Sequence, residues 1–118
     1  DLAPADFAAA DGLVRILAAA PDAAARDGQA ALALAQQLAA GERQEQAQEL
    51  LAMALAESGR FGEAAGAQAR AVAAYGADKA LGPAWLPYLE SQLAAYRAGR
   101  PCRQPWPPHL LVDREKTP

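Results

Sequence analysis

The chain has 118 residues, a net charge of -3 and a pI near 5.0. That length fits one domain, and the acidic balance excludes the basic face and high pI of a general nucleic-acid binder. The apolar runs are short and broken by Asp, Arg or Gly, far below the roughly 20 residues that span a bilayer. Apolar residues make up 53%, but about three residues in ten are Ala and aromatics only 6%. A core from such a chain must come from close helix approach over Ala, with Leu filling the gaps. Ala is the best helix former, and no Val/Ile/Thr-rich segment alternates with period two. The expected fold is all-α. One cysteine leaves no internal disulfide. The first residues carry no charged-then-apolar leader pattern. Starting on Asp, the chain reads as a processed or partial one, and nothing in it names a compartment.

Five helices are expected in chain order. Asp6 or Asp11 caps the first, with Leu13, Val14, Ile16 and Leu17 as its apolar stripe. Pro21-Asp22 stops it, and Ala23 to Gly28 is a loop with an Asp27-Gly28 turn signal. The second runs from about Gln29 to Ala39, with Ala31, Leu34, Ala35 and Leu38 on one face, and Gly41 ends it. The third runs from about Arg43 to Ser58. Ala47, Leu50, Leu51, Ala54 and Leu55 face inward, while Glu42, Glu45, Gln46 and Glu49 complement the positive helix start. Gly59 is placed for a C-terminal cap with positive φ.

The fourth helix covers about Gly62 to Tyr75, with Ala64, Ala67, Ala71 and Tyr75 on one side, and residues 77–84 turn. Pro87 removes a helical hydrogen bond, so it is expected in the first turn of the fifth helix. That helix then covers 86–98, capped by Gly99, with Leu86, Leu89, Leu93 and Tyr96 inward and Glu90, Gln92, Arg97 and Arg100 outward. Four prolines between Pro101 and Pro108 call for an extended tail. Arg114 to Pro118 is expected to be mobile.

No residue set points to catalysis. Ser58 and Ser91 have no His near in sequence, Thr117 lies in the tail, and no strand precedes a Gly-rich phosphate loop. Carboxylate pairs such as Asp22 with Asp27, or Glu57 with Glu63, fall at turns and on wet faces, without the burial that tunes a pKa. Cys102 and His109 are the only soft metal ligands, where a structural zinc site takes about four. No metal and no cofactor are expected. Cys102 lies among Arg97, Arg100 and Arg103, whose charge would favour a thiolate; the plainer expectation is a free thiol in a surface tail. The three arginines also complement the negative end of the fifth helix. Trp106 either serves a partner's aromatic groove or folds back near Trp85 and Tyr88.

The two helix pairs share a pattern. Leu13 and Leu17 followed by Ala31, Ala35 and Leu38 parallel Leu51 and Leu55 followed by Ala64, Gln68 and Ala71. The second set, with Leu51-Ala52, Leu55, Gly59, Phe61, Glu63-Ala64 and Ala71, resembles the unit of the tetratricopeptide repeat family. Gln48, Leu55, Gln68 and Gly76 stand where that family often has Trp, Tyr, a second aromatic and Pro. The span from Leu13 to Arg103 is also similar to a terminal segment of long bacterial members. Pro21-Asp22 with Arg26-Asp27-Gly28, Ala56 to Phe61, and Tyr96 to Pro101 carry that likeness.

The resemblance implies a superhelical repeat domain over 1–103, with hairpins 6–40 and 42–76, a capping helix 86–98 and an extended tail 104–118. It implies a protein- or peptide-interaction scaffold, or alternatively a C-terminal cap or self-association domain of a larger protein. It also implies that the first helix of each pair lines a concave face. The contact candidates there are Asp11, Arg15, Gln46, Glu49, Met53 and Glu57, read as side chains that do not pack internally. Their acidic balance and the adaptable thioether of Met53 suit a basic or amphipathic peptide. Ala-lined faces also allow a homodimer.

Overall fold

The structure, a computed structural model, describes residues 3–41 and 43–110. Glu42, expected at the start of the third helix, and Arg114 to Pro118, expected to be mobile, lie outside the described residues. Those residues form five helices: α1 (Pro4–Ala19), α2 (Gly28–Ala39), α3 (Gln44–Glu57), α4 (Phe61–Gly76) and α5 (Gly82–Arg97). Among the described residues there is no strand. Each helix packs on the next in sequence, and α1 also packs on α3. That places α3 at the centre. Eight of its 14 residues are buried, including the expected Ala47, Leu50, Ala54 and Leu55, with Leu51 half-buried.

Local chemistry sets the helix ends. Pro4 opens α1 from its first turn, where a missing N–H costs nothing. The helix therefore starts before Asp6, and Asp11 falls inside it rather than capping it. The loop after α1 contains a short 3-10 turn, Ala23–Ala25, whose Ala24 N–H donates to Asp22. Asp27 caps α2, its carboxylate accepting from the Ala30 N–H at 3.1 Å.

The α3–α4 and α5–tail turns are built alike. Gly59 (φ 82°) and Gly99 (φ 75°) take the left-handed conformation. The next residue, Arg60 or Arg100, donates back to the Leu55 or Ala95 carbonyl at 2.9 Å. This is the Schellman arrangement, which satisfies carbonyls left open at a helix end. Gly82 has a different role, packing α5 tightly on α4: a β-carbon there would overlap the Tyr75 carbonyl oxygen.

Three expectations need correction. Pro87 lies inside α5, because Pro83 rather than Pro87 opens that helix. The missing N–H leaves the Pro83 carbonyl without its helical donor, and both prolines are exposed. On α1, Leu13 and Ile16 are exposed, and the buried face runs instead through Phe7, Val14 and Ala18. On α5, Gln92 is buried rather than outward.

The main core joins α1 to α4 with Tyr96 and Cys102. A smaller cluster of Tyr75, Tyr88 and Leu89 ties α4 to α5. Between these two helices the buried Gln68 amide donates to the Leu89 carbonyl at 2.9 Å, while its own carbonyl oxygen has no partner.

Candidate functional site

α1, α3 and α5 share one face, and the segment after Gly99 lies on it. Arg15 of α1 is the hub of this face. Its Nη1 and Nη2 donate to the two Glu49 oxygens of α3 at 2.9 and 2.8 Å, and its Nε donates to Asp11 at 3.1 Å. The guanidinium lies 5.6 Å from the Trp85 ring of α5, and Nη1 also donates to the Pro105 carbonyl at 2.8 Å. Arg15 and Glu49 are only 2% and 1% exposed. Burial opposes the Arg15 charge, but Glu49, by charge and hydrogen bond, and Asp11 outweigh it and hold the arginine firmly protonated.

The tail is fixed at several further points. The Tyr88 hydroxyl donates to the Gln104 carbonyl at 2.6 Å, and the Cys102 thiol donates to the same oxygen at 3.2 Å. Arg103 donates to Glu57 at the end of α3 at 2.7 Å, and Arg26 holds the other Glu57 oxygen at 3.2 Å. His109 meets the Trp85 ring edge-on, with centroids 5.9 Å apart. Among the described residues, the tail's hydrogen bonds and ring contacts to the helices fall on α1, α3 and α5 alone.

Cys102 is 1% exposed, so it is neither a surface thiol nor an activated one. Burial pushes its thiol pKa up. The nearby arginines do not reverse this, since Arg97 and Arg100 are exposed and Arg103 is paired with Glu57. Burial also pushes the hydroxyl pKa values of Tyr75, Tyr88 and Tyr96 above the ordinary tyrosine range.

The six candidate contact residues separate into three groups. Arg15, Glu49 and Met53 are buried, so the expectation that they do not pack internally fails for them. The reason is α3's central position: neighbours on both sides cover residues that an edge helix would leave wet. Glu57 is half-buried and engaged by two arginines. Asp11 and Gln46 remain on the wall of a cleft of about 300 Å³ beside the tail, with Phe7, Tyr75 and Trp85. Arg43 lies 4.8 Å from the Phe7 ring at the same cleft.

The sequence reading placed Tyr88 beside a returning tail but missed its hydroxyl as a donor, and missed the backbone of Gln104 and Pro105 as members of this face. Main-chain carbonyls leave no residue-type signal, although Pro101 and Pro105 mark the extended stretch that exposes them. Trp106 is half-buried, and the tail folds back to Tyr88 and Trp85 through Gln104 and His109.

Among the described residues, no three His, Cys, Asp or Glu side chains converge as a metal site requires. No described helix is long and apolar enough to cross a membrane. No protein-family model matches the chain, and neither the curated proteins nor the solved structures searched contain a match.

Proposed function

We propose that this chain is a helical-repeat interaction module of the tetratricopeptide type, acting by binding an extended protein segment rather than by catalysis. One observation carries the reading: the face shared by α1, α3 and α5 holds an extended stretch of polypeptide. It does so by donating to main-chain carbonyls and by pairing a carboxylate with an arginine. The order of packing supports it, since each helix meets its sequence neighbour and α1 meets α3. The glycine turn between α3 and α4 adds further support. The partner is basic or amphipathic: Glu57 is the carboxylate that reaches a basic side chain on this face, while Glu49 is already committed to Arg15.

Titration with basic and acidic peptides tests the reading, using both the intact chain and an Arg103→Ala variant that frees Glu57. Binding of the basic set, weakened by Glu57→Gln, is the expected result. Preference for the acidic set, indifferent to Glu57→Gln, would overturn it.

A second reading, a structural cap or self-association piece, draws on a different observation. Leu13 and Ile16 are 51% and 37% exposed on α1, at one end of the helix order, whereas the tail covers part of α5 at the other. Terminal elements of repeat arrays carry a polar outer face, and α1 does not. Sedimentation at several concentrations, with Leu13→Glu as the control, tests this reading. A concentration-independent monomer removes the self-association form.

A further inference from the structure

We infer that residues Pro101 to Pro105 are an internal occupant of the binding face. The partner that this face takes is then an extended, proline-flanked segment carrying an arginine, and the tail excludes it until displaced. This rests on the interaction reading above and specifies its ligand.

The occupant's own contacts define the chemistry. Three donors or acceptors on the helices meet three successive residues. Glu57 takes the Arg103 guanidinium at 2.7 Å, Tyr88 donates to the Gln104 carbonyl at 2.6 Å, and Arg15 donates to the Pro105 carbonyl at 2.8 Å. Two of the three contacts are to backbone, so they read conformation rather than side-chain identity. A chain satisfies both only when its carbonyls are free of helix or sheet bonds. Prolines at the first and last positions enforce that, by fixing φ and removing their own N–H donors. The third contact reads charge: a carboxylate already held by Arg26 on one oxygen presents the other to a guanidinium.

The segment is also held as a peptide ligand would be held. Cys102 is sunk against Tyr88 as an anchor, while Arg103 and Gln104 remain exposed. It enters directly after the Gly99 turn, where Arg97 to Arg100 are all exposed. Tethering of this kind raises the effective concentration of the occupant to about the millimolar range. A free partner of equal intrinsic affinity would therefore be shut out.

The test is a full chain with a protease site inserted between Arg100 and Pro101, cut after folding so that the tail remains but is no longer tethered. A labelled peptide of residues 101–110 is titrated by fluorescence anisotropy into cut and uncut protein, with helix content followed by circular dichroism. The expected result is binding to the cut protein at least tenfold tighter than to the uncut. Arg103→Glu in the peptide, or Tyr88→Phe in the protein, weakens it tenfold or more. Equal binding to uncut protein would overturn the inference by placing the site elsewhere. Loss of helix on cutting, or a tail that never exchanges, would overturn it by making the segment a fixed part of the core. Equal uptake of acidic or proline-free peptides sinks the ligand class while the interaction reading stands. Uptake of the tail peptide but of no foreign Pro-x-Arg-x-Pro sequence supports the occupant and counts against the interaction reading.

Discussion

Replacing Glu49 by Leu probes the Arg15 hub directly. The carboxylate is 1% exposed and takes two hydrogen bonds, at 2.8 and 2.9 Å, from a guanidinium that is itself 2% exposed. Leu leaves that charge with Asp11, the Pro105 carbonyl and the face of Trp85. Among the described residues, Asp11 is the only other anion to which Arg15 bonds, and it is partly open to water, so it screens less than Glu49 did. Removing one partner of a buried pair costs about 3–5 kcal/mol. Against a total stability of about 5–15 kcal/mol, this takes away a large share. At about 3–5 °C per kcal/mol for a domain of this size, the melting temperature falls by roughly 10–25 °C.

The double variant Arg15→Met/Glu49→Leu distinguishes an uncompensated charge from lost packing. Replacing a buried pair with apolar side chains of similar volume is near neutral. The Pro105 carbonyl then lacks a donor, for about 1–3 kcal/mol, and Asp11, partly open to water, loses its bond from Arg15. Urea unfolding followed by circular dichroism measures both. A Glu49→Leu variant within 1 kcal/mol of the parent would refute the reasoning, by showing that the Arg15 guanidinium reaches water without Glu49.

Gly82→Ala is expected to destabilise by about 1–3 kcal/mol, because its β-carbon meets the Tyr75 carbonyl at the α4–α5 contact; thermal unfolding measures it. Gly59→Ala should cost about 1–2 kcal/mol for its left-handed φ. Gly12→Ala, mid-helix with open space at its β-carbon, should instead gain about 0.5–1 kcal/mol, and the opposite signs are the check. Stability should fall as the pH rises above about 8. Burial raises the pKa of Cys102 and of three tyrosines in the folded state. The unfolded chain therefore releases these protons first, from near 8.5 for the thiol and near 10 for the phenols. Each group lowers stability by up to about 1.4 kcal/mol per pH unit in that range, and Tyr88→Phe should lessen the alkaline slope.

The helices themselves were legible because Ala at three- and four-residue steps and glycine punctuation act locally. Ala64, Ala67, Ala71 and Tyr75 were expected on one side of the fourth helix, and all are buried. Gly59 was expected at positive φ and adopts it. The failures share a cause that periodicity does not encode, namely how many neighbours a helix has. A helix at an edge leaves Leu13 and Ile16 wet although their spacing is that of a core stripe. A helix at the centre buries Glu49 and Met53 although their spacing is that of an outer face. The ion pair spans 34 positions of sequence, and nothing local to Arg15 or Glu49 announces the other. The stretch 101–107 was legible as extended, through its prolines, whereas 108–110 turn helical, against the expectation of an extended tail; the binding runs through carbonyls that every residue possesses.

An empty α1–α3–α5 face would be unstable on its own account, and truncation shows how strongly. Deleting residues 104–118 removes the carbonyls that satisfy the Tyr88 hydroxyl and one N–H of Arg15 Nη1, whose bond to Glu49 remains. Each buried donor left without a partner costs about 1–3 kcal/mol, so the two together cost about 2–6 kcal/mol. Loss of the His109 contact to Trp85 adds to this. A peptide that restores both carbonyls should recover stability by mass action, about 2.7 kcal/mol at a hundred times its Kd. The expected outcome is a truncated chain with a clearly lowered melting temperature that rises with added peptide of residues 104–110. A scrambled peptide of the same composition should leave it unchanged. Truncated protein that melts like the parent would mean that water reaches Arg15 and Tyr88 without the tail. The face would then need no occupant, and the reason for a segment to be exchanged there would be gone.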